Sequence, residues 1–370
     1  MKIGILSLKY ESNFGGILQS VALQNVLEKM GHQIEIINYS AIVKESKWHD
    51  FIFRIFNLLF TGNIFVSLKE KRKEQKKNTG KDSLALIENN EIFMSKNLHR
   101  SQLLNEFSIS SYCKDFDCVI VGSDQIWSVT NASKLVYFFD WEYFGKKIAY
   151  SACSVNRQPA FLNRKKVKYL LNKFDAVSVR DEVTRNFVYS TSGINPIVVA
   201  DPTLLFDFDP LLENRIIPEP YIVIYILGKE LRGGNKLALE SIKKRCTANT
   251  KVVAIIIPSV SIEGVTGADI VIDDCDPLRW INLIKYAEFV FTDSFHGVVF
   301  ALKYRKRFLA YYSFAKRATR LLDLNDRYNI GNIVKDVSEV DVVLESNKIP
   351  DYDRIEEHIK DSINYLHTIL

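Results

Sequence analysis

The sequence predicts an α/β protein with two Rossmann-like domains, each built around a parallel sheet. At 370 residues the chain is longer than one hydrophobic core usually grows. Short apolar runs alternate with segments of helical periodicity, as in units of strand, helix and parallel strand. The alternation stops at a cluster of prolines and then restarts, which predicts two domains joined by a linker; the prolines are Pro202, Pro210, Pro218 and Pro220.

The first predicted domain covers residues 1–205 and opens with a strand at 2–8. After a polar loop, apolar residues recur at helical spacing until Gly31 stops them, namely Leu18, Ala22, Val26 and Met30. A strand at 33–38 completes this first unit. Further apolar runs suit strands that are covered on both faces, at 117–121, 147–152, 176–179 and 196–200.

A linker is predicted at 206–220 and a second α/β domain at 221–340. In this domain the pattern predicts strands at 221–227, 251–257, 289–292 and 308–311, with helices near 235–245, 277–286 and 297–302. The segment 350–370 is predicted to be a helix that docks on the body through one apolar face, formed by Ile355, Ile359, Ile363, Leu366 and Leu370.

Composition and charge narrow the possible classes of protein. Five cysteines without CxxC spacing indicate a reducing compartment, and the N-terminus shows no signal-peptide pattern, so we expect a cytoplasmic protein. No apolar run reaches the roughly 18 residues of a membrane-spanning helix. No His, Cys and carboxylate cluster has ligand spacing, so no metal is expected. Seven of the basic residues fall at 303–320 with no acid between them, which predicts an anionic ligand; without a recognition motif, nucleic acid is not expected.

An insert at 45–100 interrupts the first domain. Within it, Trp48 to Lys77 places a run of aromatic and aliphatic residues ahead of six cations. This order is typical of an interfacial helix and predicts peripheral contact with the inner face of a membrane. A core helix followed by a solvated charged helix explains the pattern equally well.

Candidate ligand contacts are sought at the carboxyl ends of the predicted strands, where loops lead into helix N-termini that favour anions. The first such loop carries two glycines that would let the backbone approach a phosphate or a sugar, although a plain tight turn is the alternative. Its candidate residues are Asn13, Gly15, Gly16 and Gln19.

A second loop ends the strand at 117–121. Asp124 would accept hydrogen bonds from sugar hydroxyls, and Trp127 would offer an apolar face, whereas a helix N-cap role for Asp124 is the alternative. The candidate residues in this loop are Ser123, Asp124, Gln125 and Trp127.

Two further strand ends carry groups suited to an anion. Arg180 would hold a carboxylate or phosphate by two-point contact, unless it is a salt-bridge partner of Asp181 or Glu182. His296 lies at a strand-to-helix corner, and histidine changes charge near neutral pH. The neighbouring candidates for substrate binding are Ser294 and Phe295, with Lys303, Lys316 and Arg320 from the basic run.

Taken in order, the motifs resemble those of the polysaccharide pyruvyltransferase family. They are KIGILSLKYESNFGGILQSVALQ, FDCVIVGSDQIW, KKIAYSA, FDAVSVRDE, VVADPTLLFD and FTDSFHGVVFAL. The resemblance spans about 1–326 and implies a fold similar to the B-type glycosyltransferases. It also implies phosphoenolpyruvate as the donor substrate, with no cofactor, and a lipid- or nucleotide-linked saccharide as the acceptor. Arg180 and His296 match the arginine and histidine that meet the donor in this family.

The expected reaction forms a pyruvate ketal on a sugar of a cell-surface polysaccharide, such as a capsule or an exopolysaccharide, with release of phosphate. His296 would act as the general acid or assist the leaving phosphate, and Asp124 would orient or deprotonate the acceptor hydroxyl. The alternatives are a glycosyltransferase with a nucleotide-sugar donor and a non-catalytic regulator that binds a sugar or lipid. For a lipid-linked acceptor, the insert would keep the enzyme at the membrane.

Overall fold

The computed structural model describes residues 1–8, 12–40, 84–128, 130, 134–258, 267–313 and 315–370, without the side chains of 315–317. The predicted interfacial segment at Trp48 to Lys77 lies outside these residues. The first half contains a parallel sheet in the order β2-β1-β3-β4-β5-β6. Its strands are β1 (Lys2–Leu6), β2 (Gln33–Ile36), β3 (Cys118–Val121), β4 (Lys146–Ala152), β5 (Ala176–Val179) and β6 (Ile197–Val198).

The second half contains another parallel sheet, in the order β12-β11-β10-β7-β8-β9. The strands are β7 (Tyr221–Tyr225), β8 (Lys251–Ile255), β9 (Ile270–Ile272), β10 (Phe289–Thr292), β11 (Arg307–Tyr311) and β12 (Ile333–Val334). Since β7, β10 and most of β8 and β11 are fully buried, they consist almost entirely of apolar residues. The predicted α/β class with two parallel sheets is confirmed.

Helices formed by the described residues cover both sheets. In the first half they are α1 (Phe14–Lys29), α2 (Leu84–Asn97), α3 (Ile109–Cys113), α4 (Arg164–Leu171), α5 (Glu182–Ser192) and α6 (Pro202–Leu205). In the second half they are α7 (Asn235–Lys243), α8 (Pro277–Tyr286), α9 (Phe295–Lys303), α10 (Ala315–Tyr328), α11 (Val340–Ser346) and α12 (Tyr352–Ile369). Among the described residues, no helix is long and apolar enough to cross a bilayer.

Helix α1 joins the two halves. It is buried on almost every side, because it covers the first sheet and also packs against the second half. The ring of Phe14 lies 6.0 Å from that of Tyr225 and 5.8 Å from that of Trp280, measured between centroids. The first turn of α1 is therefore fixed between the two sheets.

Helix α12 returns from the second half to the first. His358 contacts the carbonyl oxygen of Val198 through Nε2 at 3.1 Å, and the backbone N–H of Ala200 donates to the hydroxyl of Ser362 at 2.8 Å. These contacts hold the chain just after β6, where it approaches the site described next.

Candidate functional site

The candidate site is built from loops at the carboxyl ends of strands in both sheets. Gly15 follows β1, Asp124 follows β3, Arg180 follows β5, Asp201 follows β6 and His296 follows β10. In each sheet the strand order reverses beside these loops, between β1 and β3 and between β7 and β10. Ligands of open α/β sheets bind at such switch points. The structure thus brings together residues that are far apart in the sequence.

Arg180 is the centre of a buried ion-pair cluster. Its Nη2 donates to Oδ1 of Asp124 and its Nη1 donates to Oδ2 of Asp201, both at 2.9 Å. All three side chains are almost fully buried. The alternative expectation, that Arg180 forms a salt bridge with Asp181 or Glu182, is wrong. Asp181 caps α5, and Glu182 pairs with Arg185. The guanidinium therefore connects the ends of three strands of the first sheet.

Asp201 belongs to this cluster although sequence reasoning did not select it. Its Oδ1 accepts hydrogen bonds from the N–H and the hydroxyl of Thr203, so that it caps α6. Burial alone would raise the pKa of Asp201, but His296, Arg180 and Thr203 together hold that pKa below its usual range. The side chain is thus an oriented carboxylate. An aspartate directly after a strand and directly before a proline was the signal that could have found it.

His296 connects this cluster to the second half. Ser294 caps α9 by accepting the N–H of Gly297, which places His296 in the first helical turn. The imidazole is 6% exposed, and its Nε2 lies 3.5 Å from Oδ2 of Asp201. That distance suits an ion pair but is long for a hydrogen bond. Within the described residues Nε2 has no hydrogen-bond partner.

Gly15 provides the space that His296 occupies. A Cβ atom at position 15 would lie 2.1 Å from both Cγ and Nδ1 of the imidazole. The first turns of α1 and α9, one from each half, are therefore in direct contact. Asn13 caps α1 by accepting the N–H of Gly16 at 3.1 Å. Two helix N-termini that converge in this way favour an anion.

Arg320 supplies further positive charge beside the cluster. Two guanidinium groups lie close to the ring of Phe295: the centroid of the ring is 4.3 Å from Cζ of Arg180 and 5.7 Å from Cζ of Arg320. Arg180 is bound to two carboxylates, whereas Arg320 forms no ion pair with the described residues. The buried Nε of each arginine has no partner there. The guanidinium of Arg320 is thus available to an anionic ligand.

Several predicted contacts serve the structure instead. The amide of Gln19 donates to the hydroxyl of Ser7 and accepts the N–H of Ser123. Trp127 is completely buried, donates to the carbonyl oxygen of Tyr137 and stacks on Phe138. The expectation that Trp127 faces a sugar is wrong, because its ring fills the core of the first half. Gln125 is partly exposed, and Gly16 lines a cavity beside β1 and β2.

From the basic run, Arg320 lies beside the cluster, but Lys303 does not. Lys303 ends α9, so it lies about 10 Å along the helix from His296. Its ammonium group donates to the carbonyl oxygen of Leu204 at 3.3 Å and lies over the ring of Phe208. Lys303 is therefore not a phosphate ligand in this arrangement. The side chain of Lys316 lies outside the described residues. Within the described part of the chain, no group of three His, Cys or carboxylate residues is placed to hold a metal.

Lys303→Met is expected to change the pH dependence of stability. Burial lowers the pKa of Lys303 from 10.5 to about 8, although Asp207 and Asp209 oppose this. Above pH 8 the folded lysine is neutral while the unfolded lysine remains charged up to about pH 10.5, so the unfolded state binds more protons. The stability of the parent protein relative to the variant should rise over this window, by about 1 to 3 kcal/mol.

Urea unfolding of both proteins at pH 7 and pH 10 measures this difference. If the difference in unfolding free energy between the two proteins is the same at pH 7 and pH 10, the ammonium group stays hydrated in the folded protein. Turnover by the variant should be unchanged, since Lys303 lies outside the ion-pair cluster.

Comparison with solved structures first gives the class of the fold. UDP-GlcNAc 2-epimerase from Methanocaldococcus jannaschii superposes with a TM-score of 0.54 at 14% identity, covering 93% of this chain and 92% of that chain. A putative UDP-N-acetylglucosamine 2-epimerase from Listeria monocytogenes gives 0.53 at 10% identity, covering 97% and 91%. UGT89C1 from Arabidopsis thaliana complexed with UDP-L-rhamnose gives 0.50 at 9% identity, covering 98% and 94%. The chain therefore has the B-type glycosyltransferase fold.

The family follows from the sequence motifs. The family model for polysaccharide pyruvyl transferase matches residues 13–313, and the chain belongs to this family. This confirms the resemblance drawn from the motifs and indicates a transferase. A search of curated proteins gave no significant match.

Proposed function

We propose that this protein transfers the enolpyruvyl carbons of phosphoenolpyruvate to a saccharide as a ketal and releases phosphate. Membership of the family supports this reaction class. The observation that carries the proposal is the contact between Gly15 and His296, where helix N-termini from both halves meet beside the ion-pair cluster. A small dianionic donor suits that position.

The donor needs anchors for a phosphate and for a carboxylate. The first turns of α1 and α9 offer N–H groups and positive dipole ends for one of them. We assign the other to Arg320, because its guanidinium forms no ion pair with the described residues and lies against Phe295. An arginine fork binds a carboxylate or phosphate by two parallel hydrogen bonds.

Arg180 then has a positioning role instead of the anchoring role expected from the sequence. Both of its Nη atoms already donate to buried carboxylates. Through them it fixes Asp201, whose Oδ2 lies 3.5 Å from Nε2 of His296. Asp124 is likewise bound to the guanidinium through Oδ1, so we assign it to this support and not to deprotonation of the acceptor.

In the proposed reaction, His296 gives a proton to the methylene carbon of the donor, which becomes the methyl group of the ketal. The central carbon becomes cationic, and the first sugar hydroxyl attacks it. His296 takes back a proton from that hydroxyl. The bond to phosphate then breaks, a second hydroxyl closes the ketal, and the proton of this hydroxyl leaves with phosphate. Preorganised charges at the site stabilise the developing charge, and no cofactor is assigned.

We further propose a lipid-linked saccharide of a cell-surface polysaccharide as the acceptor. The test is phosphate release from phosphoenolpyruvate with a panel of lipid-linked and nucleotide-linked sugars, combined with mass spectrometry of the product. The expected product is heavier than the acceptor by one pyruvate ketal. Transfer of sugar from a nucleotide donor would instead identify a glycosyltransferase, and tight binding without turnover would identify a regulator.

Arg320→Met is expected to weaken the binding of phosphoenolpyruvate about 10- to 100-fold, the usual contribution of a hydrogen-bonded charge. Stability should change little, because the guanidinium forms no ion pair with the described residues. The matched control is Arg327→Met on the same helix, where the arginine pairs with Asp323. Isothermal titration measures both. Equal donor affinity in the two variants would remove Arg320 from the site even if turnover is found.

A further inference from the structure

A surface of the first half combines exposed apolar side chains with exposed cations. It covers residues 157–173, which are α4 and the segments on either side of it, and we call it the α4 surface. Phe161, Leu162 and Tyr169 are 59%, 37% and 60% exposed. The exposed cations on the same stretch are Arg157, Arg164, Lys165, Lys168 and Lys173. Isolated exposed apolar residues are ordinary, but an apolar pair beside a group of cations is characteristic of an interaction surface.

The charge of the α4 surface is not neutralised by its neighbours. No aspartate or glutamate occurs at 156–174. Among the described acids next to it, Asp140 pairs with Lys166 and Glu182 pairs with Arg185. Asp175 accepts a backbone N–H and keeps its charge, which is a single one against the five exposed cations. None of the exposed cations of the α4 surface forms a salt bridge with a described residue, so these cations can attract an external anion.

Leu162 and Tyr169 are separate from the residues that hold α4 in place. The inward face of the helix consists of Val167, Leu170 and Leu171, which are buried in the core of the first half. Lys165 and Lys168 point outward with Tyr169. The outward side chains are thus not needed to dock the helix.

We propose that the α4 surface binds an anionic lipid bilayer. Phe161 and Leu162 would enter the boundary between headgroups and acyl chains, and the cations would contact the lipid phosphates. Nucleic acid fits less well, because stacking on bases uses aromatic faces and Leu162 has none. The proposal rests on exposure and charge and does not depend on the proposed reaction.

The α4 surface lies near the edge of the first sheet that carries the candidate site. The turn with Phe161 follows the loop that leaves the carboxyl end of β4. In that loop the N–H of Cys153 donates to the carbonyl oxygen of Asp124 at 2.9 Å. Bilayer contact through this turn would bring the site close to the headgroups, where lipid-linked substrates are found.

The test is co-flotation of the full-length protein with vesicles of phosphatidylglycerol and phosphatidylcholine, or of phosphatidylcholine alone, at low and high salt. We expect binding only to the anionic vesicles, and weaker binding at high salt. Lys165→Gln with Lys168→Gln should lower binding about thirtyfold, since each basic residue near the surface contributes about fivefold. Phe161→Ser with Leu162→Ser should lower it at least about tenfold.

Matched controls lie on α7 in the second half. Lys243→Gln with Lys244→Gln, and Leu237→Ser, remove exposed residues of the same kinds and should not affect binding. Failure of the parent protein to bind anionic vesicles at low salt overturns the proposal. So does undiminished binding by the α4 variants. Binding of single-stranded RNA is measured as well. If the lysine variant loses vesicle binding and RNA binding equally, while the Phe161→Ser, Leu162→Ser variant loses neither, the surface binds polyanions in general.

Discussion

Arg180→Met is expected to reduce the free energy of unfolding by about 3 to 5 kcal/mol, because it leaves two buried carboxylates without their cation. Asp124 and Asp201 each lie 2.9 Å from this guanidinium, and neither reaches solvent. Denaturant unfolding followed by circular dichroism measures the loss. Arg185→Met on α5 is the matched control, since its pair with Glu182 is exposed and should contribute less than about 1 kcal/mol.

A combined variant separates charge from packing. Replacing Asp124 and Asp201 by asparagine in the Arg180→Met background removes the unpaired charges and should restore part of the stability. If Arg180→Met proves no more harmful than Arg185→Met, the buried cluster does not hold the strand ends together, and a positioning role for Arg180 fails.

His296→Ala is expected to lower the turnover number for phosphate release by about 10²- to 10⁴-fold, the usual contribution of a general acid. The fold should persist, because Arg180 and Thr203 still hold Asp201 and alanine favours a helix. His367→Ala, on the exposed side of α12, is the control. Near-normal turnover by a stable His296 variant would exclude this side chain from the reaction.

The sequence was sufficient to predict ten of the twelve strands, all but β9 and β12, and the sheet edge where the candidate site lies. Parallel strands end at one edge, so apolar runs followed by Asp124, Arg180 and His296 predict that these residues approach one another. The partners of Arg180 were not predictable in the same way. Asp201 is 21 residues further along the chain, and only the pairing of β5 with β6 brings it beside the guanidinium.

The directions in which side chains point were the second feature that the sequence could not predict. Trp127 and Asp124 occupy the same strand-end loop, but the indole turns into the core while the carboxylate turns to Arg180. The cluster of basic residues at 303–320 did not predict which of them lie at the site either, because it spans two helices and a strand. From this run Lys303 contacts a backbone carbonyl, whereas Arg320, one helix later, lies beside Phe295.

The contact between Gly15 and His296 has a consequence for motion. Helices α1 and α9 belong to different halves, so a hinge movement that parts the halves also withdraws the imidazole from the first turn of α1. In the proposed reaction, the imidazole and the dipole ends would therefore act together only while the two halves keep this contact, which would exclude water from a reactive intermediate. A side chain larger than hydrogen at position 15 would meet the imidazole and push the first turns of α1 and α9 apart.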